Sequence, residues 1–329
     1  MLNAPFKTLN VAVLALNYSV ATTIVGPQDV FSMTGILYEQ LQCQEPVHYF
    51  NVQIVTPDGE PVRCYNNLMI TPHCAMESCE PDIVIIPAIL NLDEILRMNG
   101  GAIIEWLKHL YERNCALVGI CSGSLLLATT GLLDNKVATT HWAMADIFRK
   151  RFPKVLLRPD EMITDDSGIV CSGGYDSFLD ASIYMIKKYY GPTVALQCSK
   201  IFLHNHGRDS QAPYTIFNVP RDHGDEEILH IQQVLGKNFS NNVDFDKLAK
   251  EYGMSRRTLE RRFKKATGVT LLIYQQRTRV EHAKALLESG NSSFDEISYK
   301  VGYMDNSFFR KLFIKYTTLR PREYRSLFS

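Results

Sequence analysis

The chain has 329 residues, 46% hydrophobic and 21% charged, a composition that excludes a disordered or fibrous protein and leaves room for two or three cored domains. Its 35 Lys and Arg match its 35 Asp and Glu, but residues 241–329 hold 18 basic and 10 acidic side chains against 17 and 25 in the rest. A basic end beside an acidic body points to a polyanion-binding module joined to something else.

In chain order, residues 9–16 form an apolar, β-rich run, and residues 26–40 predict a helix with Pro27 in its first turn. Strands are expected over 51–56 and 82–87, with a hairpin around Pro57-Asp58-Gly59. A helix is expected over 99–114 and a strand over 115–120. Short, non-alternating apolar strands separated by helices indicate a parallel sheet covered on both faces. Further on, Asp165-Asp166-Ser167 marks a hairpin, and a helix from Phe178 to Tyr190 ends at Gly191-Pro192 before a last helical pattern. The polar segment 207–225, with its Pro and Gly, reads as a linker. The N-terminal residues lack a basic-then-apolar leader, and the longest apolar run, residues 83–90, contains Pro87 and is too short for a membrane helix. Several of the eight cysteines sit inside apolar, strand-like runs, so buried free thiols in a reducing cytoplasm are expected; there is no Cys-x-x-Cys pair, and neither a metal site nor a cofactor is expected.

One stretch carries chemistry. Gly119-Ile120-Cys121-Ser122-Gly123 stands between a strand and a helix, the nucleophile-elbow arrangement with Cys as the reactive residue. The small neighbours allow a sharp turn that exposes the thiol, and the helix N-terminus favours thiolate. His141-Trp142 follows a short strand and delivers an imidazole. Gly26-Pro27, this elbow and Ala138-Thr139-Thr140-His141-Trp142 resemble the ThiJ/PfpI family, a branch of the class I glutamine amidotransferase-like, flavodoxin-type folds, over roughly residues 8–205. Enzymes of that family pair the elbow Cys with a His and with an acid after the first strand. Here residues 17–23 contain no Asp or Glu, and Trp142-Ala143 follows His141. Cys121, Ser122, His141 and Trp142 are therefore read as a ligand pocket, with hydrolase or lyase activity, redox sensing through Cys121, or a structural relic as alternatives.

The C-terminal third is helical and repeats itself. Asp244 caps one helix, Gly253 breaks it, and Ser255 caps a second, basic helix. Ser293 and Glu296 then form a capping box, Gly302 turns the chain, and Asp305 caps another basic helix. The turn glycines are 49 residues apart, and a helix over 271–289 lies between the units. At about 1.5 Å per residue that helix spans roughly 27 Å, of the order needed to hold two recognition helices about one DNA turn apart. Residues 254–263, 302–313 and 320–325 resemble the AraC-family DNA-binding domain, with Thr318 where that family has Gly. The expected fold is thus an α/β, flavodoxin-like sheet domain (1–206), a linker (207–225), and an all-α domain of two helix-turn-helix units (226–329). This is the architecture of GlxA-type bacterial transcription regulators. The resemblance implies base contacts by Arg257, Glu260 and Arg261 and by Asn306, Ser307 and Lys311. Arg256, Arg262, Lys264 and Arg310 are read as phosphate contacts or solvated charges, and Phe308 as a thymine contact or a core residue. It also implies double-stranded DNA and RNA polymerase as partners, a homodimer formed by the N-terminal domain, and an effector such as an amino acid or a quaternary amine.

Overall fold

The first apolar run forms β1 (Leu9–Leu14). After it come α1 (Thr22–Met33), α2 (Leu37–Leu41), β2 (Phe50–Thr56), β3 (Val62–Arg63), β4 (Met69–Ile70), β5 (Cys74–Ala75), β6 (Ile83–Ile86) and α3 (Leu92–Glu112). Then follow β7 (Ala116–Ile120), α4 (Gly123–Thr129), β8 (Val137–Ala138), α5 (Ala145–Arg151), β9 (Leu156–Leu157), β10 (Ile163–Asp166), β11 (Ile169–Ser172) and α6 (Phe178–Ile201). Seven strands share a sheet in the order β10-β11-β7-β6-β1-β2-β5, parallel throughout except at β10–β11. Alternation along each strand feeds two cores. Val11, Val13, Ile83 and Ile85 pack with residues of α1 and α6, whereas Ala12, Leu14, Val84 and Ile86 pack with residues of α3, α4 and α5. This is the doubly covered sheet expected, in a computed structural model that describes residues 7–205 and 208–329. The segment before Lys7, where no leader was expected, and the first linker residue, 207, lie outside the described residues.

Three local expectations need correction. Helix α1 begins at Thr22, so Pro27 sits inside it rather than in its first turn. Helix α3 begins at Leu92, because Asn91 caps it by accepting from Glu94 N at 3.3 Å, and it runs on through Gly100 and Gly101. The turn at Pro57-Asp58-Gly59 closes no hairpin; β2 pairs in parallel with β5, Val55 opposite Cys74. The kink at Gly191 (φ 85°) and the hairpin before β11 appear where expected.

The fold divides into two compact units, one ending at Gln211 and the other running from Ala212 to Ser329. The segment between the expected domains is well packed. Gln211 is 1% exposed, Phe217 and Val219 pack against the core of the second unit, and Asp225 caps its first helix. Composition reads such a stretch as linker because its few anchoring residues are polar or isolated.

The second unit contains α7 (Glu226–Lys237), α8 (Phe245–Glu251), α9 (Arg256–Thr267), α10 (Leu271–Ser289), α11 (Phe294–Lys300), α12 (Asn306–Thr317) and α13 (Pro321–Phe328). Its two helix-turn-helix units are copies down to single bonds. Thr267 Oγ1 donates to Phe263 O at 2.7 Å, and Thr317 Oγ1 donates to Phe313 O at 2.8 Å. Phe263 meets Tyr274 edge-on at 5.3 Å, and Phe313 meets Tyr324 at 5.4 Å. Each copy has its own core, one around Leu259 and Phe263 and one around Phe309 and Phe313, and α10 contributes to both.

Candidate functional site

The first unit places Cys121 at the carboxyl end of β7 with φ 55°, a conformation costly for a residue with a Cβ. The surroundings hold it there. Cys121 N donates to Ser172 O at 2.8 Å, and Cys121 O accepts from Ser124 Oγ at 2.8 Å and Thr140 Oγ1 at 3.1 Å. A Cβ on Gly123 would lie 2.5 Å from Ile86 O and 2.6 Å from Pro87 O, so the close approach of α4 to β6 requires glycine. The elbow expected from sequence is therefore real.

Its chemistry differs from the sequence expectation. Cys121 is 7% exposed, not presented to solvent, and burial pushes its thiol up to about 11 despite the counter-pull of Ser122. The short helix α4 does not offset that desolvation, so the group at neutral pH is the thiol. Ser122 holds the neighbouring loop: its hydroxyl donates to Ile89 O and accepts from Ile89 N, both at 2.8 Å. Burial lowers the pKa of His141 below its ordinary value, and its Nδ1 accepts from Ala143 N at 3.1 Å, which favours a neutral ring. Trp142 lies beside it, the two rings 5.3 Å apart and tilted by 34°. Among the described residues no carboxylate is hydrogen-bonded to Cys121 or His141, and no cluster of His, Cys, Asp and Glu could hold a metal ion. All eight cysteines are free. What the arrangement offers is a neutral thiol and imidazole beside an aromatic ring.

Sequence reasoning missed Gln211. From the segment read as linker, its Oε1 accepts from Trp142 N at 3.1 Å, and its Nε2 lies 2.8 Å from Thr140 O, 3.0 Å from Pro159 O and 3.1 Å from Glu161 O. Nothing in Asp209-Ser210-Gln211-Ala212 signals this, because each of these partners is at least 50 residues away.

In the second unit the caps stand where the pattern puts them. Asp244 Oδ1 accepts from Asp246 N and Lys247 N, Ser255 Oγ from Thr258 N, and Asp305 Oδ1 from Ser307 N and Phe308 N. The basic side chains then separate into two sets. Arg257, Arg261, Lys264 and Lys311 are exposed and, among the described residues, make no side-chain hydrogen bond or ion pair. Arg262 instead bonds Asp225, at 3.1 and 2.7 Å, and Glu227, tying α9 to α7. Arg256 is shared between Asp246 at 2.8 Å and Glu260 at 3.0 Å, and Arg310 faces Asp295 at 3.5 Å. Arg262 is thus a structural clamp rather than a solvated charge. Phe308 is 48% exposed on α12 while Phe309 is buried, which places Phe308 on the outer face. Along α9, Arg257, Glu260, Arg261 and Lys264 border a groove of about 500 Å³.

A covered sheet with a cysteine elbow, followed by a duplicated helix-turn-helix, is the make-up of a DNA-binding transcription regulator. Comparison with known proteins agrees. Residues 10–188 match the DJ-1/PfpI family and residues 248–326 match a helix-turn-helix domain, and the chain belongs to the DJ-1/PfpI family. It is 26% identical over 236 residues to the HTH-type transcriptional regulator CdhR of Pseudomonas aeruginosa, a match covering 71% of this chain and 70% of that one. It is 28% identical over 236 residues to the HTH-type transcriptional regulator GlxA of Rhizobium meliloti, covering 69% and 72%. Among solved structures, a transcriptional regulator protein from Vibrio parahaemolyticus has a TM-score of 0.52 at 20% identity, over 59% of this chain and 99% of that one. Drosophila melanogaster DJ-1beta has a TM-score of 0.51 at 16% identity, over 60% and 100%. These two likenesses show the fold alone. No helix among the described residues is long and apolar enough to cross a membrane.

Proposed function

We propose that this is a bacterial, cytoplasmic regulator that reads specific DNA sequences with its second unit and answers a small metabolite through the wall formed by Cys121, His141 and Trp142. The observation that carries the DNA reading is the division of the cations. Arg257, Arg261 and Lys311 stand uncommitted on the outer faces of two equivalent capped helices, while Arg262 is used internally. Uncommitted guanidinium and ammonium groups are available to guanine O6 and N7, and Asn306 to adenine. Ser307 stands at the start of α12 beside Asn306, suited to a base edge or a phosphate. Glu260 acts with Arg256 as a pair, the carboxylate held toward the groove for a cytosine amino group.

The effector reading rests on an elbow whose thiol is neutral and whose histidine lacks a carboxylate, features that suit binding better than nucleophilic attack. The aromatic face of Trp142 suits an amino acid or a quaternary amine. The family resemblance adds a homodimer through the first unit and a contact with RNA polymerase. Selection of duplexes from a randomised pool by the full chain tests the DNA reading: a recovered consensus supports it, and recovery of random sequence overturns it. A thermal-shift screen of amino acids and quaternary amines on the full chain tests the effector reading, because a ligand bound only by the native state raises the melting point. Cys121→Ala is expected to leave duplex binding intact; loss of DNA binding on that change would favour a reactive or redox role for the thiol.

A further inference from the structure

Gln211 is the last residue of the first unit, and its carboxamide is nearly inaccessible to solvent. Around it the chain is laced to residues 160–162. Gln211 N donates to Asp160 O at 2.8 Å, Ser210 Oγ donates to Asp160 O at 2.8 Å, and Met162 N donates to Asp209 O at 3.1 Å. The side chain reaches both Trp142 N and Thr140 O, and Thr140 in turn donates to the carbonyl of Cys121 at 3.1 Å. A continuous bonded path therefore runs from the elbow through residues 140–142 to residue 211. Gly173 leaves the space for it, since a Cβ there would fall inside the Gln211 amide. The next residues belong to the DNA-binding unit, where Tyr214 meets Phe328 edge-on at 5.3 Å and Thr215 O accepts from Lys284 Nζ at 2.6 Å.

We infer that Gln211 is the coupling residue of the regulator, the point at which a change in the pocket wall is passed to the reader. The inference rests on the sensor and reader roles proposed above. A ligand against Trp142 and His141 displaces the backbone that holds the amide, and the chain entering the second unit loses or gains its anchor. Coupling requires an element that both sites bias, and a single amide gripping four backbone groups from two segments, residues 140–142 and 159–161, is where a shift of one segment is felt by residue 211.

The test uses the full chain and the duplex it selects. Thr140→Val breaks the link to Cys121 while keeping the carbonyl that Gln211 grips. It is expected to shift duplex affinity by about threefold or more in the wild-type background, and by less than about 1.5-fold once Gln211→Ala has removed the latch. Gly173→Ala evicts the amide without changing residue 211, and should abolish the Thr140→Val effect in the same way. The double variant Gly173→Ala/Gln211→Ala relieves the crowding, so it separates loss of coupling from poor folding, and it should behave as Gln211→Ala alone. Equal Thr140→Val effects in all backgrounds, or none in any, overturn the coupling role while leaving the DNA reading intact. A wild-type chain that selects no duplex overturns the reader role and this inference with it.

Discussion

The two helix-turn-helix units share caps, turn hydrogen bonds and aromatic pairs, yet each is fastened in its own way. The first is tied to α7 by Arg262, whose side chain is 32% exposed and whose partners are the carboxylates Asp225 and Glu227. The second is tied at its turn by Arg279, which is 5% exposed and donates to Phe239 O at 2.7 Å, Asn241 O at 2.9 Å and Gly302 O at 3.2 Å. The same local sequence logic thus builds both readers, and long-range contacts decide how firmly each is held. The second unit, gripped by a buried guanidinium, is expected to be the more rigid of the two, and the first the more adjustable.

Removing the buried clamp should have the largest effect. Arg279→Ala leaves several inward-facing carbonyls without a donor, and a loss of about 3–5 kcal/mol is expected in urea unfolding of the full chain. The turn beside it is equally intolerant. Gly302 has φ 92°, and a Cβ there would run into Ser240 O, whereas Gly253 has φ 65° and open space around it. Gly302→Ala should cost about 2–5 kcal/mol and Gly253→Ala about 1–2 kcal/mol. Equal losses at the two glycines would break the claim that the turns differ in support.

That contrast also shows where sequence reading reaches and where it stops. Asp244, Ser255, Ser293 and Asp305 were legible as caps because each bonds an amide two or three residues ahead. The central strands β1, β2, β6 and β7 and the Cys121 elbow were legible for the same reason: apolar runs and small neighbours are local signals. Arg279 was not, since its acceptors lie 23 to 40 residues away, and Gln211 was not, with partners 50 to 72 residues away. The state of the Cys121 thiol was misjudged because burial is a property of the assembled fold. Local reasoning saw only the helix N-terminus and not the desolvation that outweighs it.

On DNA the asymmetry should favour the first unit, whose recognition helix offers two uncommitted arginines. Arg261→Ala is expected to weaken binding to the selected duplex by about 1–3 kcal/mol and to relax preference at one base pair. Lys311→Ala, at the equivalent place on α12, removes a point charge rather than a bidentate fork and should cost less, with a smaller salt slope. Competition titrations against single-base variants of the duplex distinguish the two. A uniform loss across all variants for Arg261→Ala would move it to the phosphates.

The clamp on α9, whose partners are carboxylates, should make stability depend on pH. Arg262 holds the Asp225 carboxyl below its ordinary value, first through the hydrogen bond between them. Because the folded-state value is lowered, the stabilisation is fully present above the ordinary carboxylate range of about 4 and is lost as pH falls through the lowered value. Arg262→Ala should therefore destabilise by about 1 kcal/mol near neutral pH, discounted for solvent screening. Its deficit relative to wild type should shrink as the pH drops below that range. A deficit independent of pH would mean that the arginine acts through packing alone.

The smallest effect concerns the ends of the two recognition helices. Helix α9 closes at Gly268 with φ 78°, and α12 closes at Thr318 with φ 59°. Both are left-handed, and both N–H groups reach back to a carbonyl four residues earlier, Lys264 O at 2.9 Å and Ile314 O at 2.8 Å. A β-branched residue in that region is strained by about 1–2 kcal/mol, offset in part by the greater chain entropy that glycine loses on folding. The Thr318 hydroxyl recovers a little more by donating to Thr317 O at 2.7 Å. Thr318→Gly should thus stabilise the chain by only about 0.5–1 kcal/mol. The reverse change, Gly268→Thr, should destabilise by about 1–2 kcal/mol. If Thr318→Gly instead weakens the fold, the hydroxyl is worth more than the strain, and the second unit has an additional fastening that the first lacks.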